Sequence, residues 1–228
     1  MSHEQQVSTR AIAVIDAASE RHDLERHQVL LSWAQGTIDR EALREFAPQL
    51  YLLLNVWPRL VSAAHSISDD RSVRRELVAA LHALEGANPS PAEIWLQTCS
   101  ALGLFSDSVR SAQPTQATEA CINDLTYLAG SSSAAAVASL MMFAKNIRTV
   151  CRAAQRGAAS LHLTDGPGAA FFDVVSYTAE IQERGLRSAL AVAAAGSDQL
   201  TDIEHAALAT QVAFHGMFTA SMPMLARA

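Results

Sequence analysis

The sequence predicts an all-α fold, a helix bundle, on three observations. Capping residues and glycine stops punctuate the chain at helix-length intervals, apolar residues between them recur at three-to-four spacing, and no segment sustains a period-two alternation rich in β-branched residues. The 228 residues are half hydrophobic, with a mean hydropathy of +0.11. Much of that apolar content is alanine, which lets helices pack closely. This is enough for one large core, so a single helical domain over residues 1–228 is expected, with residues 1–8 a flexible N-terminus.

Residues 8–34 carry Ile12, Val14, Ile15, Leu24, Leu30, Leu31 and Trp33, and read as two short helices broken near His22-Asp23 and ending at Gly36. Asp39 is a cap candidate for the next helix, with Glu41 in its first turn where the helix dipole favours negative charge. That helix has the cleanest stripe in the chain: Leu43, Leu50, Trp57 and Ala64 at every seventh position, with Phe46, Leu53 and Leu60 between them. Pro58 lies inside it and should bend it. Asp69 or Asp70 opens a helix with Val73, Leu77, Leu81 and Leu84 on its apolar face, closed by Gly86. Ser90-Pro91-Ala92-Glu93 is a capping box with proline at the first helical position. It starts a helix through Ile94, Trp95 and Leu102 that ends at Gly103. Trp57 and Trp95 are assigned to the core.

Residues 106–115, polar and containing Pro114, read as a loop. Thr115 can cap a helix with Cys121, Ile122, Leu125 and Leu128, closed by Gly130. Ser131–Ser133 precede another, with Val137, Leu140, Met141, Ala144, Ile147 and Cys151 on one face. The run Thr164-Asp165-Gly166-Pro167-Gly168 is a turn. A helix follows from about Ala169 to Ala195, weakened locally by Gly185 and stopped at Gly196. Thr201-x-x-Glu204 reads as a second capping box, opening a last helix through Leu208, Val212, Phe214 and Met217.

A net charge of −6 and a pI near 5.7 disfavour a sequence-independent nucleic-acid binder, which needs a concentrated basic face. The densest basic group, Lys145, Arg148, Arg152 and Arg156, reads as a solvated or salt-bridged stripe. Cys99, Cys121 and Cys151 are odd in number and widely spaced, offer no disulfide framework or CxxC motif, and read as small buried hydrophobes. MSHEQQVSTR has no apolar signal core, and no stretch has the apolar length needed to span a bilayer. A reducing cytoplasm is the expected compartment, with no membrane and no nucleic acid as partner.

Two stretches carry a family resemblance. Leu24-Glu25-Arg26-His27 through Gly36, Leu43-Arg44-Glu45-Phe46-Ala47-Pro48-Gln49-Leu50-Tyr51, Trp57-Pro58-Arg59-Leu60 and Ser66 make the first. Arg74-Arg75-Glu76-Leu77, Leu81, Leu84-Glu85-Gly86, Pro91-Ala92-Glu93-Ile94-Trp95 and Ala101-Leu102-Gly103-Leu104 continue it in order. Residues 24–104 thereby resemble the iron-containing redox enzymes of the haem-oxygenase-like fold, related to pyrroloquinoline-quinone synthase, thiaminase II and the di-iron p-aminobenzoate synthases. The resemblance implies a haem-oxygenase-like bundle of seven to eight helices around a central cavity that holds either a di-iron centre or a small organic substrate oxidised without a cofactor.

The metal-binding members use a Glu and a His from the third and fourth helices, a second Glu from a middle helix, and a late H-x-x-x-D-x-x-H pattern. Offsets of four and seven put those three ligands on one helical face, and carboxylate plus imidazole suits iron. Here Glu85 or a neighbour stands for the first carboxylate, but the His falls at Ser90, Pro91 or Ala92, and Phe143–Lys145 contains no carboxylate. The late pattern falls in Ser176–Arg184, as Tyr177, Ile181 and Arg184 or as Ser176, Glu180 and Glu183. The usual di-iron set is therefore expected to be missing, and no cofactor is expected.

Three functions follow. The first is a metal-independent oxidative or small-molecule-transforming enzyme of a biosynthetic pathway, with Lys145, Tyr177 and Arg184 as the catalytic candidates that orient an anionic substrate in the cavity. The second is a catalytically silent homologue that binds a ligand or partners an active paralogue, as a homodimer or hetero-oligomer. The third is a metalloenzyme with iron or manganese in a site rebuilt from His82, Glu85, Glu180 and Glu183. His205 and His215 read as capped-turn or core-edge residues.

Overall fold

The computed structural model describes residues 3–194 and 197–225. They form helices α1 (His3–Arg21), α2 (Gln28–Ala34), α3 (Arg40–Ile67), α4 (Arg71–Glu85), α5 (Pro91–Ala101), α6 (Ser106–Arg110), α7 (Gln116–Ala129), α8 (Ser133–Gly157), α9 (Pro167–Ala193) and α10 (Ser197–Leu225), with 3-10 turns at Leu24–Arg26 and Ala158–Leu161. The described residues contain no strand, and no helix among them is long and apolar enough to cross a membrane.

The caps act as their chemistry requires. Asp39 accepts from Ala42 N–H, Asp70 from Ser72 and Val73, Thr115 from Thr118, and Ser132 from Ala135. The Ser90–Glu93 box closes in both directions, with Ser90 N–H donating to Glu93 at 2.8 Å and Glu93 N–H to Ser90 at 3.4 Å. Helix α3 runs on through Pro48 and Pro58. Neither proline has an N–H to give, so the carbonyls of Arg44 and Leu54 lose their helical donors. Its predicted stripe is the buried one, with Leu43, Trp57 and Ala64 at 0 % and Leu50 at 1 % exposure.

Four expectations need correction. Helix α1 begins at His3 and runs for 19 residues, so residues 3–8 are helical and the first helix is not short. Residues 106–110 form a short helix, because Val109 is fully buried and anchors the segment to the core. Pro167 itself begins α9, where its fixed φ is favourable; the expected ending at Ala195 and Gly196 lies outside the described residues, and α9 stops at Ala193. Thr201 and Glu204 lie inside α10, which starts at Ser197. Glu204 reaches across to Arg21 of α1 at 3.3 Å instead of back to its own helix terminus.

Helices α8 and α9 form the axial antiparallel pair, as the ion pair Arg148–Glu183 (2.8 Å) and the bond from Gln155 to Asp173 (2.8 Å) show. Helix α9 also packs on α4 and α5, and α10 packs on α8, α1 and α7. Residues 134–144 of α8 are buried without a break, and the alanines and serine among them let the neighbouring helices approach. Aromatic rings fill the middle: Trp57 lies 5.0 Å from Phe143, and Phe143 5.2 Å edge-on from Phe214. Trp95 packs on Phe171 at 4.5 Å and donates to the Ala47 carbonyl at 2.8 Å.

Candidate functional site

A cleft of about 340 Å³ opens between α3 and the corner joining α4 to α5, lined by Leu54, Asn55, Pro58, Arg59, Leu84, Glu85, Ala87 and Ser90–Glu93. Three local features build it. Pro58 leaves the Leu54 carbonyl without its helical donor. Asn55 and Arg59 stand one helical turn apart and share a face of α3. The Ser90 box fixes the entry of α5. Arg59 has no carboxylate within ion-pair distance among the described residues, so its guanidinium fork is free. Glu93 is committed to its cap, and the Ser90 N–H holds its carboxyl below the usual range. The cleft therefore offers a cationic fork, an amide, a carbonyl acceptor and, from Glu85, a carboxylate. That combination suits a small carboxylate-bearing molecule.

The cleft lies where the resemblance puts the first pair of metal ligands, since Glu85, Ser90, Pro91 and Ala92 all line it. Only Glu85 of these is a metal-binding type. The rest of the set does not fit either. Phe143 and Ala144 are both fully buried. On α9 both expected frames are wrong in register: Tyr177 is 62 % and Ile181 40 % exposed, Glu180 is exposed, and only Glu183 of the second frame is buried. The buried face instead runs through Val175, Thr178, Ala179, Gln182, Glu183 and Leu186. Offsets of four and seven along it, such as Val175, Ala179 and Gln182, contain no histidine. Among the described residues, those at the positions where the resemblance puts the ligands do not fit a di-iron centre.

The catalytic candidates are not brought together. Lys145 reaches Asp16 of α1 at 2.9 Å. Arg184 is largely exposed and pairs with Glu180 one turn away at 3.3 Å, and the Tyr177 ring faces outward. Their shared interior pocket does not form, because the burial period of α9 turns residues 177 and 184 to the outer side. The rebuilt-metal residues are also dispersed. His82 lines a groove with His65, Arg71, Arg74 and Arg75, Glu85 lines the cleft, and Glu183 is held by Arg148 and Arg187. Among the described residues no three His, Cys, Asp or Glu side chains are grouped to hold a metal ion. Of the basic stripe, Lys145 and Arg148 are ion-paired, and Arg152 and Arg156 are exposed.

Sequence reasoning missed Asn55 and Arg59. The available signal was Pro58 inside a strong helical stripe, which marks a freed carbonyl beside polar residues. Buried polar groups of the interior were also missed. Gln182 donates to the Ala80 carbonyl at 3.4 Å, while among the described residues its own oxygen and the Asn146 amide nitrogen have no hydrogen-bond partner.

The family model described as TENA/THI-4/PQQC matches residues 16–158. A protein of Chlamydia muridarum (strain MoPn / Nigg) named 4-aminobenzoate synthase is 29 % identical over 153 residues, which cover 67 % of this chain and 65 % of that protein. The chain thus spans just under two thirds of that relative's length. The protein of the same name from Chlamydia trachomatis serovar D is 29 % identical over 170 residues, 74 % of this chain and 71 % of that one. Among solved structures, a CADD-like protein of unknown function from Nostoc punctiforme PCC 73102 superposes with a TM-score of 0.77 at 10 % identity, covering 97 % of this chain and 99 % of that one. A domain of unknown function with a haem-oxygenase-like fold from Shewanella denitrificans OS217 gives 0.74 at 11 %, covering 98 % and 93 %. These likenesses give the fold as haem-oxygenase-like. The helix order, the ordered motifs of residues 24–104 and the match over residues 16–158 together place the chain in the TENA/THI-4/PQQC family.

Proposed function

We propose that this chain is a small-molecule-transforming enzyme of a biosynthetic pathway that works without the di-iron centre, and that the α3–α5 cleft takes its organic substrate. The observation that carries the reading is the free Arg59 fork beside Asn55 in a cleft of about 340 Å³, close to the lower end of small-molecule sites, roughly 300–1,000 Å³. The Chlamydia relatives are named for making 4-aminobenzoate, an aromatic ring bearing a carboxylate. A guanidinium binds that group in two parallel hydrogen bonds, and Leu54, Pro58 and Leu84 supply an apolar wall for a ring. Arg59 and Asn55 bind and orient; Glu85 is the group available to move a proton.

Calorimetric titration of the full chain with 4-aminobenzoate and other aromatic carboxylates tests this. Binding should weaken on the order of tenfold or more in Arg59→Ala, the loss of one charge-assisted bidentate contact. No binding by the wild type, or equal binding by Arg59→Ala, rejects the cleft. Stoichiometric iron or manganese in aerobically purified protein rejects the metal-independent part.

A second reading has its own support. Among the described residues the middle of the bundle is packed largely with apolar and aromatic side chains, with Trp57, Phe143 and Phe214 in ring contact, although Asn146 and Gln182 are also buried there. A silent homologue that partners a metal-bearing paralogue needs no reactive interior. Light scattering of the chain alone, as a homodimer candidate, and mixed with such a paralogue distinguishes the two.

A further inference from the structure

Three histidines distant in sequence meet where the corner between α1 and α2 docks on α10. His22 and His27 come from the corner, and His215 comes from α10. The His215 ring centre lies 5.3 Å from that of His22 and 4.7 Å from that of His27. His27 is 5 % exposed. The corner is fastened to α10 along one face of that helix: Arg21 pairs with Glu204, the Gln211 amide donates to the His22 carbonyl, and His27 meets Thr219.

Hydrogen-bond accounting assigns a proton state to each ring. His27 is the N-cap of α2, and its Nδ1 accepts from Val29 N–H at 3.2 Å. That nitrogen therefore carries no proton, and Nε2–H is the donor to the Thr219 hydroxyl at 3.1 Å. Thr219 gives its one proton to the His215 carbonyl at 2.8 Å. Its two lone pairs then accept from His27 Nε2–H and from His215 Nδ1–H, the latter at 3.3 Å. Every contact closes when both rings are neutral. A proton on His27 Nδ1 would face the Val29 N–H, donor against donor, and remove the α2 cap. A proton on His215 would set a charge between two other imidazoles.

We propose that His27, His215 and the Thr219 hydroxyl between them form an acid-sensitive latch, which fastens the C-terminal half of α10 to the α1–α2 corner when the rings are neutral and releases it when they take up protons. Among the described residues no carboxylate lies within ion-pair distance of His27 or His215. In the corner itself, Asp23 caps Glu25 N–H and pairs with Arg26, and Glu25 is exposed. On α8, Lys145 and Arg148 pair with Asp16 and Glu183, and Arg152 and Arg156 are exposed. On α3, Arg44 pairs with Glu41 and Glu45 is exposed. On α10, Glu204 is held by Arg21 and His205 is exposed. Burial is the larger cause that lowers the proton affinity of both rings, followed by His215 acting on His27 and His22 acting on His215. Rings depressed below the ordinary 6.5 leave the latch fully closed above that pH and progressively weaker as the pH falls.

The latch matters to the core because α10 carries Phe218 onto Phe46, 5.4 Å between ring centres, and Phe214 onto Phe143. Hydrogen exchange of the full chain, corrected for intrinsic rates, tests the proposal at about pH 7.5 and about pH 5. Exchange in residues 29–31 and 215–222 should rise on the order of tenfold at the lower pH, with α3 and α8 unaffected. His27→Asn keeps a cap acceptor but cannot be protonated, so it should abolish the acid response of residues 29–31. His215→Gln should reduce the response of α10. An acid response unchanged in both variants, or none in the wild type, overturns the latch. Nitrogen-detected NMR of the wild-type imidazoles gives an answer independent of the variants. His27 as the Nε2–H tautomer, with both rings titrating below 6.5, supports the latch; either ring titrating at or above that value overturns it.

Discussion

Replacing Gly157 with alanine tests how tightly α2 is set against the end of α8. A β-carbon there would lie 1.8 Å from the Trp33 carbonyl oxygen and 2.9 Å from its carbon. Both are backbone atoms, so no side-chain rotation relieves the overlap, and the helices must separate by more than about 1 Å to restore ordinary contact. Helix α2 has only 7 residues and is held by Val29, Leu30 and Trp33, each 3 % exposed or less. Full burial of such side chains is worth roughly 1.5–3 kcal/mol each, and a shift of this size forfeits about a quarter to a half of their contact energy. The gain in helix propensity at position 157 returns at most about 1 kcal/mol. Gly157→Ala should therefore destabilise the protein by about 2–3 kcal/mol, within the usual range for overpacking. Gly216 is the control: it lies within α10, and an added β-carbon there meets nothing within 4 Å. Gly216→Ala should stabilise by about 0.5–1 kcal/mol. Urea unfolding followed by circular dichroism measures both. If Gly157→Ala unfolds at the wild-type midpoint with an unchanged slope, the close approach of α2 and α8 is wrong.

Three further outcomes follow. Arg40 donates to the Leu161 and Ala101 carbonyls, the second at 2.7 Å, and ties the start of α3 to the end of α5 and the turn after α8; Arg40→Met should cost about 1–3 kcal/mol in the same unfolding assay. Burial pushes the Cys99 and Cys121 thiols up to about 12 and raises Cys151 as well, so a thiol reagent at neutral pH should label the native protein only at its opening rate and label all three sites once urea unfolds it. Ser90→Ala should lower stability by about 1 kcal/mol, the usual worth of an N-cap, with Ser90→Thr close to wild type by thermal melting.

The legible parts of this protein are those whose physics is local. Asp39, Asp70, Ser90, Thr115 and Ser132 cap helices because a short polar side chain can reach a free N–H two or three residues on, and that geometry needs no tertiary partner. The α3 stripe is legible because a helix of 28 residues repeats its buried face often enough to fix the period. The register of α9 was not. Its face from residue 174 to 184 mixes apolar and polar residues on both sides, and burying Gln182 and Glu183 while exposing Val174 and Ile181 reverses the polarity rule. The decision rests on partners from other helices: Ala80 for Gln182 and Arg148 for Glu183. Thr201-x-x-Glu204 failed for a related reason, since a capping box is only a local option and Arg21 of α1 offers Glu204 another partner.

By itself, the sequence determined the all-α class, most of the helix limits, and the family to which residues 24–104 point, because caps, stops and long apolar periods act within one helix. Only the tertiary structure decided which side chains share a site. It turned Lys145, Tyr177 and Arg184 away from one another, gathered Asn55, Arg59 and Glu85 at the α3–α5 cleft, and joined His27 to His215 across 188 positions of chain. Such groupings depend on how helices dock, and a change of one position on a helix turns a side chain by about 100°. One residue's error in register is then enough to send a candidate ligand from the core to solvent.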